Sequence, residues 1–290
     1  MERTVTTPDG RILAVQEGGD PAGRAVLVHN GSPNSRHLYG PHAADAAEKG
    51  LRLVSYDRPG YGGSTPQPGR SHASCADDVR TICAALGIGR LGIWGISGGG
   101  AHALACAALL PDLVAGVASL AGLAPYGAEG LDWFDGMGQD NADDFKQFMT
   151  DADAARAKME KDREEMLAGT ADELREVLKT LLTPTDAAVL TGDLAEYLVY
   201  CTHEGLAPGS EGWWEDACAQ AGAWGFELAG ISVPVLVMHG RQDLFVPFGH
   251  GEWLAGHIPG VQARLLDDDG HLTLAQNRIP EVHDWLSARL

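Results

Sequence analysis

Positive charge is what this chain has least of. Its 290 residues hold 21 Lys plus Arg against 40 Asp plus Glu, a formal net charge of −19. Such a surface repels polyphosphate backbones and anionic lipid, so nucleic acid and membrane surfaces are not expected as partners. Long apolar runs are missing as well. Stretches such as Ala103 to Leu110 fall far short of the ~20 residues a membrane span needs. Behind Met1-Glu2-Arg3-Thr4-Val5 there is no apolar segment of the kind a signal peptide carries. Cysteine is scarce, and Cys75, Cys83, Cys106, Cys201 and Cys218 form an odd, scattered set. They argue against a disulfide framework, show no metal-type spacing, and read as reduced thiols in a cytoplasmic protein. Gly92-Ile93-Trp94-Gly95 lacks the Gly-x-Gly-x-x-Gly spacing that lets a backbone approach a pyrophosphate. Neither a cofactor nor a metal is therefore expected.

What is present is ordinary for a globular protein: 44% hydrophobic and 21% charged residues on a chain long enough to bury a large core. Arg3 to Thr7 and Arg11 to Glu17 read as strands joined by the turn Pro8-Asp9-Gly10. Short apolar runs follow at Ala25–His29, Leu51–Tyr56, Leu91–Gly95 and Val114–Leu123. Helical stretches separate them at Arg36–Lys49, Ser74–Leu86 and from Ala101. Alternating buried strands and helices are the pattern of a mostly parallel sheet covered on both faces. The rhythm breaks near Tyr126. From there to Gly225 the sequence is helical and acidic, with 22 Asp plus Glu against 7 Lys plus Arg. Strand-like runs resume at Val233–His239 and Val261–Leu266, with helices at Phe248–His257 and Ile279–Leu290. The expected organisation is a core of residues 1–125 and 226–290, with residues 126–225 a helical insertion over one end of the sheet. Its carboxylates are expected to form solvated helix faces; the alternative is that some face the site and favour a cationic substrate.

Gly95-Ile96-Ser97-Gly98-Gly99 stands where an apolar strand gives way to a helix. A serine on so tight a turn is lifted off the sheet, and the following amide, that of Gly98, is left free at the helix N-terminus to stabilise an oxyanion. A nucleophilic serine needs a base and a group to orient that base. Asp243 follows the strand ending at His239, and His271 follows the strand ending at Leu266. Ser97, Asp243 and His271 thus lie past the ends of three strands, the candidates for nucleophile, acid and base. Asp243 as a helix cap and Asp267, Asp268 and Asp269 as an exposed turn are the competing structural roles. His29, His102 and His239 read as structural or rim residues; His250, His257 and His283 read as surface or core.

In this order the motifs resemble those of the alpha/beta-hydrolases with an inserted helical cap. Asn30-Gly31-Ser32-Pro33 resembles the family's His-Gly-x-Pro loop, with Asn30 in the histidine position. Asp57-Arg58-Pro59-Gly60-Tyr61-Gly62-Gly63-Ser64 resembles its Asp-x-x-Gly-x-Gly-x-Ser loop, and Gly240-Arg241-Gln242-Asp243 and Gly270-His271 its acid and base loops. The resemblance covers nearly the whole chain. It implies an alpha/beta-hydrolase fold, a mostly parallel eight-stranded sheet with helices on both faces and a cap, and an oxyanion hole made by the amides of Ser32 and Gly98. Asn30, Trp133, Trp213 and Trp214 are the candidates for the substrate pocket, with helix packing the alternative role for the tryptophans.

The implied activity is a serine hydrolase cleaving a small-molecule ester, lactone or amide through an acyl-enzyme. A proline-iminopeptidase-like aminopeptidase, a carbon–carbon bond hydrolase and a cofactor-free perhydrolase side activity stay open on the same residues. From a different class, a non-catalytic ligand-binding homologue is the alternative that an intact Ser97–Asp243–His271 set opposes. Substrate identity and oligomeric state are not readable here.

Overall fold

The computed structural model describes residues 1–290. Eight strands form one sheet: β1 (Glu2–Thr6), β2 (Ile12–Gly19), β3 (Arg24–His29), β4 (Leu51–Tyr56), β5 (Leu91–Ile96), β6 (Val114–Leu120), β7 (Val235–Gly240) and β8 (Gln262–Leu266). Their spatial order is β1-β2-β4-β3-β5-β6-β7-β8. The hairpin β1–β2 and the pair β2–β4 are antiparallel, and every other pair is parallel. The helices are α1 (Gly40–Glu48), α2 (Cys75–Leu86), α3 (Gly98–Leu109), α4 (Gln139–Thr150), α5 (Ala152–Ala168), α6 (Leu174–Val177), α7 (Pro184–Val189), α8 (Gly192–Leu206), α9 (Glu211–Ala221), α10 (Phe248–His257), α11 (His271–Asn277) and α12 (Ile279–Ser287). None is long and apolar enough to cross a membrane.

The central strands are apolar at almost every position because both faces of the sheet are covered. The pleat sorts their residues. Ala25 and Leu27 of β3, Leu91 and Ile93 of β5, and Val235 and Val237 of β7 pack with Val79 and Ile82 of α2, Leu104 of α3 and Leu254 of α10. The alternate residues Val26, Val28, Trp94, Leu236 and Met238 pack on the other side with Ala46 of α1 and Val282 and Leu286 of α12. A mostly parallel eight-stranded sheet with helices on both faces is what the motif resemblance implied.

Three boundaries differ from expectation. The helix expected from Arg36 starts only at Gly40, because side chains intercept the amides before it. Asp57 accepts from the Arg36 amide at 2.5 Å, and Gln16 accepts from that of Leu38 at 2.7 Å; Pro41 then opens the helix. The strand expected to reach Leu123 ends at Leu120. The segment after β8, expected as loop up to Ile279, contains the whole of α11, whose first residue is His271. Between β6 and β7 lie α4 to α9 and no strand.

Parallel strands share an edge for their C-terminal ends, and that edge is where loops converge. Residues 97, 243 and 271 follow β5, β7 and β8. The tightest of these exits is β5 into α3. A Cβ on Gly95 would overlap the carbonyl oxygen of Gly99 and touch Ala103 Cβ at 3.1 Å. The obstacle is backbone, which cannot swing aside as a side chain can. Gly95→Ala is expected to destabilise the protein by about 1–3 kcal/mol, read as a lower urea midpoint at unchanged slope.

Candidate active site

Ser97 ends β5 in a backbone conformation that L-residues seldom adopt, φ 55° and ψ −129°. This turn presents its side chain to a cavity of about 440 Å³, whose wall also contains Asn30, Gly31, Ser32, Phe245 and His271. The loop after β3 lies close alongside. A Cβ on Gly31 would sit 3.3 Å from Ser97 Cβ, and one on Gly98 would sit 2.7 Å from the Ser32 hydroxyl. Both glycines are therefore needed for the loop and the α3 N-terminus to meet over the serine. Gly98 is the first residue of α3, where amides have no intrahelical partner. The Ser32 amide likewise donates to no backbone carbonyl.

Asp243 is buried, and its two carboxylate oxygens are divided between tasks. Oδ1 accepts from the amides of Phe245 and Val246, both at 2.8 Å. Oδ2 receives Nδ1 of His271 at 2.7 Å. A carboxylate can only accept, so Nδ1 carries the proton and Nε2 of the neutral ring is left as a base. Phe245 stacks on the imidazole at 4.6 Å and fixes its plane. Burial opposes charge on His271, but the adjacent Asp243 carboxylate more than offsets this and its pKa lies above the ordinary value of 6.5.

Two buried carboxylates that sequence reasoning did not single out come from the helices between β6 and β7. Asp216 of α9 binds Arg58 at 2.6 Å and Arg70 at 2.5 Å, accepts from the Tyr61 hydroxyl at 2.9 Å, and takes the hydroxyl of Ser32. Burial alone would raise its pKa; Arg58 and Arg70 overcome that and hold it well below the usual carboxylate range. Arg58 in turn donates to the carbonyl of Asn30 at 2.6 Å, so this network anchors the loop over Ser97. Asp186, near the start of α7, accepts from three successive amides at the start of α11: His271 at 2.8 Å, Leu272 at 2.9 Å and Thr273 at 3.0 Å. Nothing in the sequence distinguishes either residue from the other acids around it; only Arg58, within a motif, hinted that a partner was needed.

Asn30 does line the cavity, and its side-chain amide also anchors its own loop through the carbonyls of Ser35 at 2.7 Å and His37 at 3.2 Å. The three tryptophans proposed for the pocket are elsewhere. Trp133 is buried among Tyr126, Phe134, Phe145 and His250, with its indole N–H bonded to the Ala124 carbonyl. Trp214 packs on Phe148 under the Arg156 guanidinium, and Trp213 lies on the same helix away from the cavity. The part of the apolar wall that comes from α5 to α8 and the loops joining them is mostly aliphatic, with Met166, Leu174, Leu178, Leu181, Leu194 and Leu198. Trp94, expected in the core, is buried there and also borders the cavity.

His29, Cys75 and Cys106 place three possible metal ligands within 4.8 Å of one another behind the site. Their contacts fit a chain of thiol hydrogen bonds better than a coordination sphere. Cys75 donates to the His102 carbonyl at 3.4 Å, and the two further separations, Cys75 to Cys106 and Cys106 to His29 Nε2, are both 3.7 Å. Nδ1 of His29 has no partner, whereas a metal-ligating imidazole is normally held from behind. Burial, reinforced by Arg58, pushes the His29 pKa down to about 3 and keeps the ring neutral. His102 donates from Nδ1 to the carbonyl of Gly98 at 3.0 Å and His239 bonds the Val246 carbonyl at 2.8 Å; both brace backbone beside the site.

A family model described as alpha/beta hydrolase fold matches residues 24–277. The chain belongs to that family and is a hydrolase. It is 24% identical over 274 residues to the AB hydrolase superfamily protein YisY of Bacillus subtilis, covering 93% of this chain and 92% of that one. It is 26% identical over 282 residues to a 2-hydroxy-6-oxononadienedioate/2-hydroxy-6-oxononatrienedioate hydrolase of Burkholderia vietnamiensis, covering 91% and 86%. An esterase from Rhodococcus superposes with a TM-score of 0.71 at 22% identity, over 100% of this chain and 99% of the other; at that identity the likeness is one of fold.

Arg58, Arg70 and Asp216 have side chains only 3%, 2% and 1% exposed. Removing the carboxylate leaves two guanidinium groups buried around a missing counter-charge. Asp216→Ala is expected to lose about 3–5 kcal/mol of stability, measured by urea denaturation against wild type.

Proposed function

We propose that the chain is a serine hydrolase acting on small, uncharged esters or lactones through Ser97, His271 and Asp243. The observation that carries the reading is the 2.7 Å bond from His271 Nδ1 to Asp243, with His271 and the strained Ser97 on one cavity wall. Ser97 Oγ attacks the acyl carbon while Nε2 of His271 takes its proton. The resulting oxyanion is met by the amides of Ser32 and Gly98. His271 then protonates the departing alcohol, or the alkoxide arm of an opened lactone. A water, deprotonated by the same nitrogen, releases the acid and restores Ser97. Asp243 stabilises the imidazolium formed in each half-reaction.

The cavity's charges favour a neutral substrate. Its rim has four carboxylates, Asp140, Asp144, Asp162 and Glu165, and one ammonium, Lys158. Lys158 is already held by Asp144 at 2.9 Å and by Asp162, so no free cation waits for a substrate carboxylate. A dioate of the kind named for the Burkholderia relative would meet net negative charge. The acidic rim also gives the aminopeptidase reading its one supporting observation. Against it, Asp140 already accepts from Thr180 at 2.6 Å and Glu165 pairs with Lys161 at 3.2 Å, which leaves an incoming amine to compete for each carboxylate.

Ser97→Ala is expected to lower turnover of p-nitrophenyl butyrate by about 10⁴ or more with folding intact; near-native turnover would remove Ser97 from the mechanism. Because the base must be neutral, kcat/KM falls as pH drops through the His271 pKa. That acid limb is expected above 6.5, since the pKa is raised. A neutral butyrate ester is expected to exceed the half-ester of glutarate in kcat/KM by about tenfold or more. A panel of the two esters, lactones and prolyl anilides checks this, and selective anilide cleavage would transfer the assignment to a peptidase.

A further inference from the structure

The carboxylate of Asp186 is fully buried and carries no cationic side chain among its hydrogen-bond partners. It meets only donors: three consecutive backbone amides and, at 3.4 Å, the Thr273 hydroxyl. Burial pushes its pKa above the ordinary carboxylate value, against which the donors facing the oxygen pair favour the ionised form, in the position of a cap on a helix N-terminus. The helix it caps is α11, not its own, and the first amide it holds is that of His271. The approach is deliberate in the backbone as well. A Cβ on Gly270 would stand 2.5 Å from an Asp186 oxygen, so glycine before the histidine is what admits the carboxylate.

We propose that Asp186 is a positioning residue for His271: seated through α7, it fixes the backbone that carries the base and makes assembly of the catalytic pair depend on docking of the helices between β6 and β7. The proposal rests on the reading of His271 as the general base. Asp243 orients the imidazole through its ring, whereas Asp186 holds the same residue through its main chain. The two constraints enter from different parts of the chain, β7 and α7, and both are needed to place Nε2 toward Ser97 within the fraction of an ångström that proton transfer demands. The charged and titratable groups facing His271 are Asp243 from the loop after β7, Asp186 from α7 and His239 from the end of β7, the last 3.7 Å from Asp243. Farther out, the rim charges around Lys158 line the same cavity. Of these, Asp186 favours the imidazolium by its charge, so removing that charge lowers the His271 pKa.

The test uses the full chain with Asp186→Asn and Asp186→Ala, assayed on p-nitrophenyl butyrate across pH, with Ser97→Ala beside them. Both Asp186 variants are expected to lose kcat by about 10- to 100-fold, with Asn the milder, while KM stays near wild type. In both, the acid limb of kcat/KM moves to lower pH. Asn has nearly the volume of Asp and keeps one accepting oxygen, so it carries the test where Ala unfolds. A folded Asp186→Asn with wild-type kcat overturns the proposal. So does one whose melting temperature falls while the acid limb stays in place, the mark of a merely structural cap. Turnover retained by Ser97→Ala would instead show that the serine-hydrolase reading itself had failed, whatever Asp186 does.

Discussion

A serine can hold φ 55° only where the chain on both sides of it is fixed, because the conformation is uphill by about 1–3 kcal/mol. Here the fixing is done by close approach. Gly95 lets β5 run against the Gly99 carbonyl, Gly99 lies against the carbonyls of His29 and Asn30, and Gly100 lies against Gly122. Three strands, β3, β5 and β6, therefore converge on one turn with main chain touching main chain. Larger residues at these positions would separate the loop after β3 from the amide of Gly98, and the serine would sit on a turn with nothing opposite it. The hydrophobic layers on the two faces of the sheet supply the stability that offsets the strain, and the turn supplies the geometry.

The acidic helices between β6 and β7 enter this arrangement twice, in chemically different ways. Asp216 is a buried charge compensated by two buried charges, Arg58 and Arg70, and its effect on the site passes through the Ser32 hydroxyl and the Asn30 carbonyl. Asp186 is met by three backbone amides and a hydroxyl, with no cationic side chain hydrogen-bonded to it. One holds the loop after β3 and the other the backbone of His271. Most other acids of this stretch, such as Glu165 and Glu176 with their lysine partners, lie at the surface, where such pairs contribute little to stability. The concentration of negative charge in one third of the chain is thus mostly solvation, with a few members turned inward, Asp186 and Asp216 among them, to join the helices to the sheet edge.

That division marks what a sequence can and cannot disclose. The sheet was legible because buried parallel strands leave continuous apolar runs, and the tight turn at Ser97 because its glycines stand between such a run and a helix, in order with the other motifs. Asp243 and His271 were candidates from their positions after strands, and the structure brings their side chains into hydrogen-bond contact. The start of α1 was misplaced because the amides of Arg36 and Leu38 are claimed by Asp57 and Gln16, partners distant in sequence. α11 was missed because its N-terminus is capped from 85 residues away instead of by the residue before it. The tryptophans misled for a related reason: a large aromatic ring beside a cavity and one packed on its neighbours have the same local sequence. Long-range polar contacts made by ordinary residues leave no local pattern.

The helix ends around the cavity show how these pieces act together electrically. α3 points its N-terminus at the place where an oxyanion would form, and α11 begins at His271 itself. Each N-terminus carries roughly half a positive charge. At Gly98 that polarity favours the negative tetrahedral oxygen. At His271 the same polarity opposes the imidazolium that the proposed mechanism would form in the same instant, and burial opposes it further. Left alone, the base would be a poor proton acceptor. Asp243 on the ring and Asp186 across the first amides of α11 answer both effects: one is aimed at the proton-bearing nitrogen, the other at the helix end that would repel the charge. In the proposed mechanism the transition state would separate an anion from a cation over a few ångströms, with the positive end of α3 on the first side and the carboxylates of Asp243 and Asp186 on the second before any substrate arrives.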